Sequence, residues 1–126
     1  MHENEIGTHV VNEAIQLHKD LGPGLFEIVY EVTLARRLER RGLAVTRQDP
    51  VPIVYEGEHF DEGFRTDIIV EGKVILELKS IEKVLDVHKK QLLTYLKLTN
   101  LKLGYLLNFG APTMKEGITR IVNGRL

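Results

Sequence analysis

Between residues 5 and 21, apolar side chains recur every three or four positions, at Ile6, Val10, Ala14, Leu17 and Leu21. That spacing predicts a helix with one buried face. The stretch LGPG at 21–24 ends it: Gly22 suits a C-terminal cap, and Pro23 has no N–H to extend the ladder. A second helix is predicted over 25–41, closed by Gly42. From residue 43 the period changes. Segments 45–55, 58–60, 64–70 and 73–79 read as strands, punctuated by Pro50, Pro52, Glu56-Gly57, Gly63 and Glu71-Gly72. Helical spacing returns over 84–99, with Leu85, Leu92, Leu96 and Thr99 in one stripe. LKLGYLLNFG then reads as a buried strand, and 118–122 as a last short one. The predicted order is ααβββαββ, an α/β chain with a mixed central sheet flanked by helices. With 126 residues and no repeat, low-complexity tract or linker, one domain over 1–126 is expected.

The stretch FRTDIIVEGKVILELKS, residues 64–80, breaks its own pattern. It is mostly aliphatic, yet it carries Asp67, Glu77 and Lys79. Strand side chains alternate faces, so Val74, Leu76 and Leu78 share one face and Ile75, Glu77 and Lys79 the other. Where Asp67 points depends on the turn. A two-residue connection at Glu71-Gly72 sets it opposite Leu76, away from Glu77; a three-residue connection or a bulge sets it opposite Glu77. The second arrangement is the expectation, since Gly72 makes the longer turn accessible. Two adjacent carboxylates repel unless a cation lies between them. Hard oxygen donors at an open site suit Mg²⁺ or Mn²⁺, and a lysine on the same face can hold a water beside a phosphate. Taken alone, E-x-K at a strand end is as easily a surface ion pair.

Composition narrows the classes. Seventeen basic and eighteen acidic residues give a net charge of −1, so there is no cationic coat, and any nucleic-acid contact would be local to a cleft. The absence of cysteine excludes a disulfide scaffold and a thiolate zinc site, and fits a reducing cytoplasm. The N-terminal residues lack a signal-peptide pattern, and no apolar run reaches membrane-spanning length. A cytoplasmic chain with no membrane partner is expected.

Other positions are double-edged. Glu27, between Phe26 and Ile28, could simply complement a helix N-terminus. His88, Gln91 and Tyr95 form a polar stripe three and four residues apart, a solvated flank or a site wall. Arg36, Arg37, Arg40 and Arg41 could meet phosphates, but a solvated face at a helix C-terminus is the preferred reading.

In order along the chain stand G-x-x-E-x-x-Y (Gly24, Glu27, Tyr30), F-R-x-D, E-L-K and Q-x-x-x-Y (Gln91, Tyr95). This succession resembles the bacterial and archaeal GxxExxY protein family, within the PD-(D/E)XK nuclease superfamily. The resemblance runs from the first helix to GITRIVN near the end. It implies a restriction-endonuclease-like core and a metal-dependent nuclease using Mg²⁺ or Mn²⁺, cutting DNA in preference to RNA. It implies that Asp67 and Glu77 hold the metal with the Leu78 carbonyl, that Lys79 is the catalytic lysine, and that Glu27 is an additional acidic ligand. Gln91 and Tyr95 would shape the catalytic site. Thr66 stands where the superfamily's name has proline. The alternative is a catalytically silent module of the same fold that binds nucleic acid or a protein partner; a subunit that works as a homodimer is a third reading.

Overall fold

The computed structural model describes residues 1–126. Two helices open the chain, α1 (Glu3–Leu21) and α2 (Glu27–Arg40). The predicted apolar stripe is what α1 buries: Ile6, Val10 and Ala14 are fully enclosed and Leu17 nearly so, whereas Leu21, at its end, is exposed. Gly22 caps α1 at φ +73°, its N–H bonded to the His18 carbonyl at 2.8 Å. α2 begins two residues later than the spacing predicts. Leu25 is held outside it, its N–H donating to the Tyr30 hydroxyl (3.1 Å) and its carbonyl accepting from Ser80 Oγ (2.6 Å).

Five strands follow in one sheet, ordered β1 (Val45–Tyr55), β2 (Glu58–Val70), β3 (Val74–Lys79), β4 (Leu103–Asn108) and β5 (Ile118–Val122). Neighbours are antiparallel except β3 and β4, which run parallel and are joined across the sheet by α3 (Asp86–Thr99). The two segments predicted at 58–60 and 64–70 are one strand. Gly63 does not break it; a side chain there would overlap Ile53 on β1, so the small residue serves close packing. The register shifts at this place, between the pairs Val51↔Phe64 and Ile53↔Phe60. Only Ile68, Ile69 and Val70 of β2 pair with β3, so most of β1 and β2 runs on as a two-stranded ribbon.

The order differs from the expectation by one element. A single helical turn, α4 (Met114–Gly117), precedes β5, started by Thr113 Oγ1 accepting from the Glu116 N–H. Four residues are too few to show a period.

The sheet separates two apolar layers. Val74, Leu76 and Leu78 face α1 and α2 together with Ile68, Val70, Leu103 and Leu107. Ile75 and Leu106 face Leu92 and Leu96 of α3. Full burial of each of those leucines stabilises the fold by about 2–3 kcal/mol. The alternation predicted for residues 73–79 is therefore the real one, and it puts Glu77 and Lys79 on the α3 side, at the end of the strand where that apolar layer stops.

Candidate active site

The turn between β2 and β3 decides the site. Residues Glu71, Gly72 and Lys73 lie outside the ladder, and the Lys73 N–H closes on the Val70 carbonyl at 3.0 Å. Both Glu71 (φ +54°) and Gly72 (φ +64°) are left-handed. For a glutamate this conformation costs about 1–2 kcal/mol. Two bonds to Ala44 brace it: the Glu71 N–H donates to the Ala44 carbonyl at 2.7 Å, and the Ala44 N–H donates to Glu71 Oε2 at 2.9 Å. The three-residue connection sets the pairs Val70↔Val74, Ile69↔Ile75 and Ile68↔Leu76. One step further along that register, Asp67 faces Glu77.

At that step carboxylates replace carbonyls as acceptors. Asp67 Oδ2 accepts from the Leu78 N–H at 2.8 Å, and Glu77 Oε1 accepts from the Asp67 N–H at 3.4 Å. Each acid is thus fixed by the other's strand, as the three-residue reading of the turn requires. Glu77 is 6% exposed, and its carboxyl is pushed up to about 9, first by burial and then by the Asp67 charge, with Lys79 opposing. Without a counter-charge, the pair holds a proton at neutral pH. Lys79, the last residue of β3, is half-buried. The ion pairs of the molecule use Arg37, Arg41, Arg47, Arg65 and Lys89, which leaves Lys79 uncommitted.

Glu27 is the first residue of α2 and is exposed. Its carboxyl is raised overall, first by the partial loss of solvent around it and then by Asp67 and Glu31, with Lys79 opposing. It is thus within electrostatic reach of the pair. No three His, Cys, Asp or Glu side chains converge closely enough to chelate an ion, so Glu27 stands apart from Asp67 and Glu77 as a neighbour. Tyr95 of α3 lies flat on Phe64, ring centroids 4.1 Å apart, and its hydroxyl is raised by burial and then by Glu77 and Asp67. Gln91, one turn earlier, is exposed; His88 Nδ1 accepts from the Leu85 N–H at 3.0 Å, at the start of the helix.

The family-model comparison matches residues 4–121 to the PD-(D/E)XK nuclease superfamily. The chain belongs to that superfamily. No curated protein and no solved structure matches it. In this PD-(D/E)XK chain, Gly24-x-x-Glu27-x-x-Tyr30 divides into roles. Gly24 takes φ +103°, a conformation other residues rarely adopt. Tyr30 is fully buried and pins the preceding loop, its hydroxyl donating to the Gly22 carbonyl at 2.6 Å and accepting from Leu25. Of the three, Glu27 is the one that feels the charges of Lys79 and Asp67.

The arginine cluster is not a uniformly solvated face. Arg37 Nε donates to Glu13 Oε1 at 2.7 Å and Arg41 Nε to Glu13 Oε2, clamping a nearly buried glutamate of α1 to α2. Glu13 is on the flank of the α1 stripe, and no motif marks it. The sequence pattern also passes over Asn108. It ends the apolar run LGYLLN as a 2% exposed amide. The signal that singles out Asp67, a polar residue set among strand aliphatics, applies to it equally.

Proposed function

We propose that the protein is a divalent-metal-dependent nuclease whose working groups are Asp67, Glu77 and Lys79. The observation that carries this reading is the cross-strand approach of Asp67 and Glu77, in a chain of this superfamily, with Lys79 on the Glu77 face. The donor set fits Mg²⁺ or Mn²⁺: two carboxylates that repel each other, plus main-chain oxygen. The carbonyl of Leu78 points to the same side as its N–H, which already bonds Asp67. Mg²⁺ needs few protein ligands, so a third carboxylate is unnecessary.

A divalent ion here would supply positive charge to a phosphodiester oxygen. Asp67 and Glu77 hold it. Lys79, uncommitted and half-buried, orients the attacking water on the Glu77 face. Glu27 adds a carboxylate from α2, and Gln91 and Tyr95 wall the site from α3. DNA in preference to RNA rests on the resemblance to GxxExxY proteins, and a cytoplasmic setting on the cysteine-free composition; no helix is long and apolar enough to cross a membrane. The test is purified protein with Mg²⁺ or Mn²⁺ against labelled single-stranded, duplex and forked DNA and RNA. Cleavage lost in Lys79→Ala and Glu77→Ala is expected; cutting by Lys79→Ala at the parent rate overturns the role.

A binding module that keeps the fold without cutting is the second reading, favoured by the lack of a third side-chain ligand. Calorimetric titration with Mn²⁺ separates the two, since the nuclease should bind the ion and Asp67→Ala should abolish the heat.

A further inference from the structure

We propose that Asn108 is a positioning residue for Lys79, and that the turn formed by Asn108, Phe109 and Gly110 indexes Lys79 and Glu27 to one frame. The inference rests on the nuclease reading only in taking Lys79 as the working lysine.

In the parallel β3–β4 pair Asn108 stands opposite Lys79, where the ladder ends. Its side chain takes over the bonding from there. Oδ1 accepts from the Ile81 N–H (3.1 Å) and the Gly110 N–H (3.0 Å), and Nδ2 donates to the Ile81 carbonyl (2.9 Å). Three of the four bonds an amide can make are thereby used, in a buried position where leaving them unmade is costly. Phe109 N–H donates to the Lys79 carbonyl at 2.8 Å. Gly110 packs so closely that a Cβ would overlap the Ile81 main chain. The backbone from Lys79 to Ile81 is therefore gripped at the Lys79 carbonyl and at both polar groups of Ile81.

The same turn reaches the other acidic arm of the site. The Phe109 ring stacks on Tyr30 with centroids 4.4 Å apart and planes 10° from parallel. Tyr30 holds Leu25 through its hydroxyl, and Ser80, next to Lys79, holds the Leu25 carbonyl. Leu25 is two residues from Glu27. The chains carrying Lys79 and Glu27 are thus tied to each other directly and through the turn. Misplacing a reacting group by about 1 Å costs about a hundredfold in rate.

The test compares the parent with Asn108→Leu and Asn108→Asp. Mn²⁺ affinity is read by calorimetry, cleavage by kcat and KM, and the place of Lys79 by Mn²⁺ broadening of its side-chain NMR signals. Asn108→Leu should keep Mn²⁺ affinity and KM within about twofold, lose about a hundredfold in kcat, and relieve the broadening at Lys79. Asn108→Asp keeps the two bonds accepted by Oδ1 and sets an oxygen against the Ile81 carbonyl in place of the donor, so about a tenfold loss is expected; it carries the test alone should Asn108→Leu not fold. A Mn²⁺ affinity that falls in step with kcat overturns the proposal, because the turn would then be supporting the carboxylates. So does a Lys79 signal broadened equally in parent and variants, or unbroadened in the parent. A parent that binds Mn²⁺ but cuts nothing overturns the nuclease reading instead, and the broadening then decides the positioning role by itself.

Discussion

The amide of Asp67 donates to the carboxylate of Glu77 across 3.4 Å, so each of two acids that repel is tethered to the other's strand. The strain shows in the Glu77 carboxyl, pushed up to about 9 by burial and by Asp67. Its folded pKa lies above its unfolded value, so its contribution to stability is complete below about pH 4.3 and is lost as pH rises through about 9. Metal-free protein should lose stability over that window, and Glu77→Gln should flatten the slope. Thermal melts at stepped pH check this.

The same residue predicts proton release. At pH 7 Mn²⁺ should displace about one proton from the site. Calorimetry in two buffers of different ionisation enthalpy should give heats differing by about that one proton. Equal heats would mean that Glu77 was already ionised.

Glu13 should behave in the opposite sense. Burial raises its carboxyl, but the hydrogen bonds from Arg41 and Arg37 outweigh this and hold it low. Its stabilisation is therefore present above its unfolded pKa and is lost as pH falls through the folded one. Glu13→Ala leaves two guanidinium groups facing each other and should cost about 2–4 kcal/mol in denaturant titrations at neutral pH. Glu13→Gln should melt with less acid sensitivity than the parent.

Two glycines offer a comparison of packing. A Cβ at Gly110 meets the Ile81 backbone, whereas at Gly7 it meets the hydroxyl end of Tyr105. Backbone cannot step aside, but a tyrosine ring tip can. Gly110→Ala should cost about 3 kcal/mol. Gly7→Ala, within α1, should stay within about 1 kcal/mol of the parent, helped by alanine's helix propensity. Chemical denaturation of the pair measures the difference.

Glu27→Gln should barely alter stability, within about 0.5 kcal/mol, because the side chain is exposed. Cleavage should fall by about tenfold or more while Mn²⁺ affinity changes little. An unchanged rate would assign Glu27 to the helix dipole alone.

The fold and the carboxylate pair were legible because both rest on local rules. The alternation over 73–79 sorts Leu76 from Glu77, and one extra residue in the turn brings Asp67 round. What stayed hidden depends on partners distant in sequence. Glu13 finds Arg37 and Arg41 only when α1 packs on α2, and Asn108 finds Ile81 only when β4 lies beside β3. The start of α2 was misplaced because Leu25 gives its backbone bonds to Tyr30 and Ser80, 5 and 55 positions away.

The β1–β2 ribbon runs on beyond Asp67 from the end of the sheet that carries Lys79, and it is acidic. Between Asp49 and Arg65 it carries five carboxylates against a single arginine, and its tip shows Val54, Tyr55 and Phe60 to solvent. A phosphate polymer finds no seat there, while the remainder of the chain carries the compensating positive excess. The tip lies about 30 Å from Asp67 along the strand, far enough from the carboxylate pair to carry a surface tether or a dye.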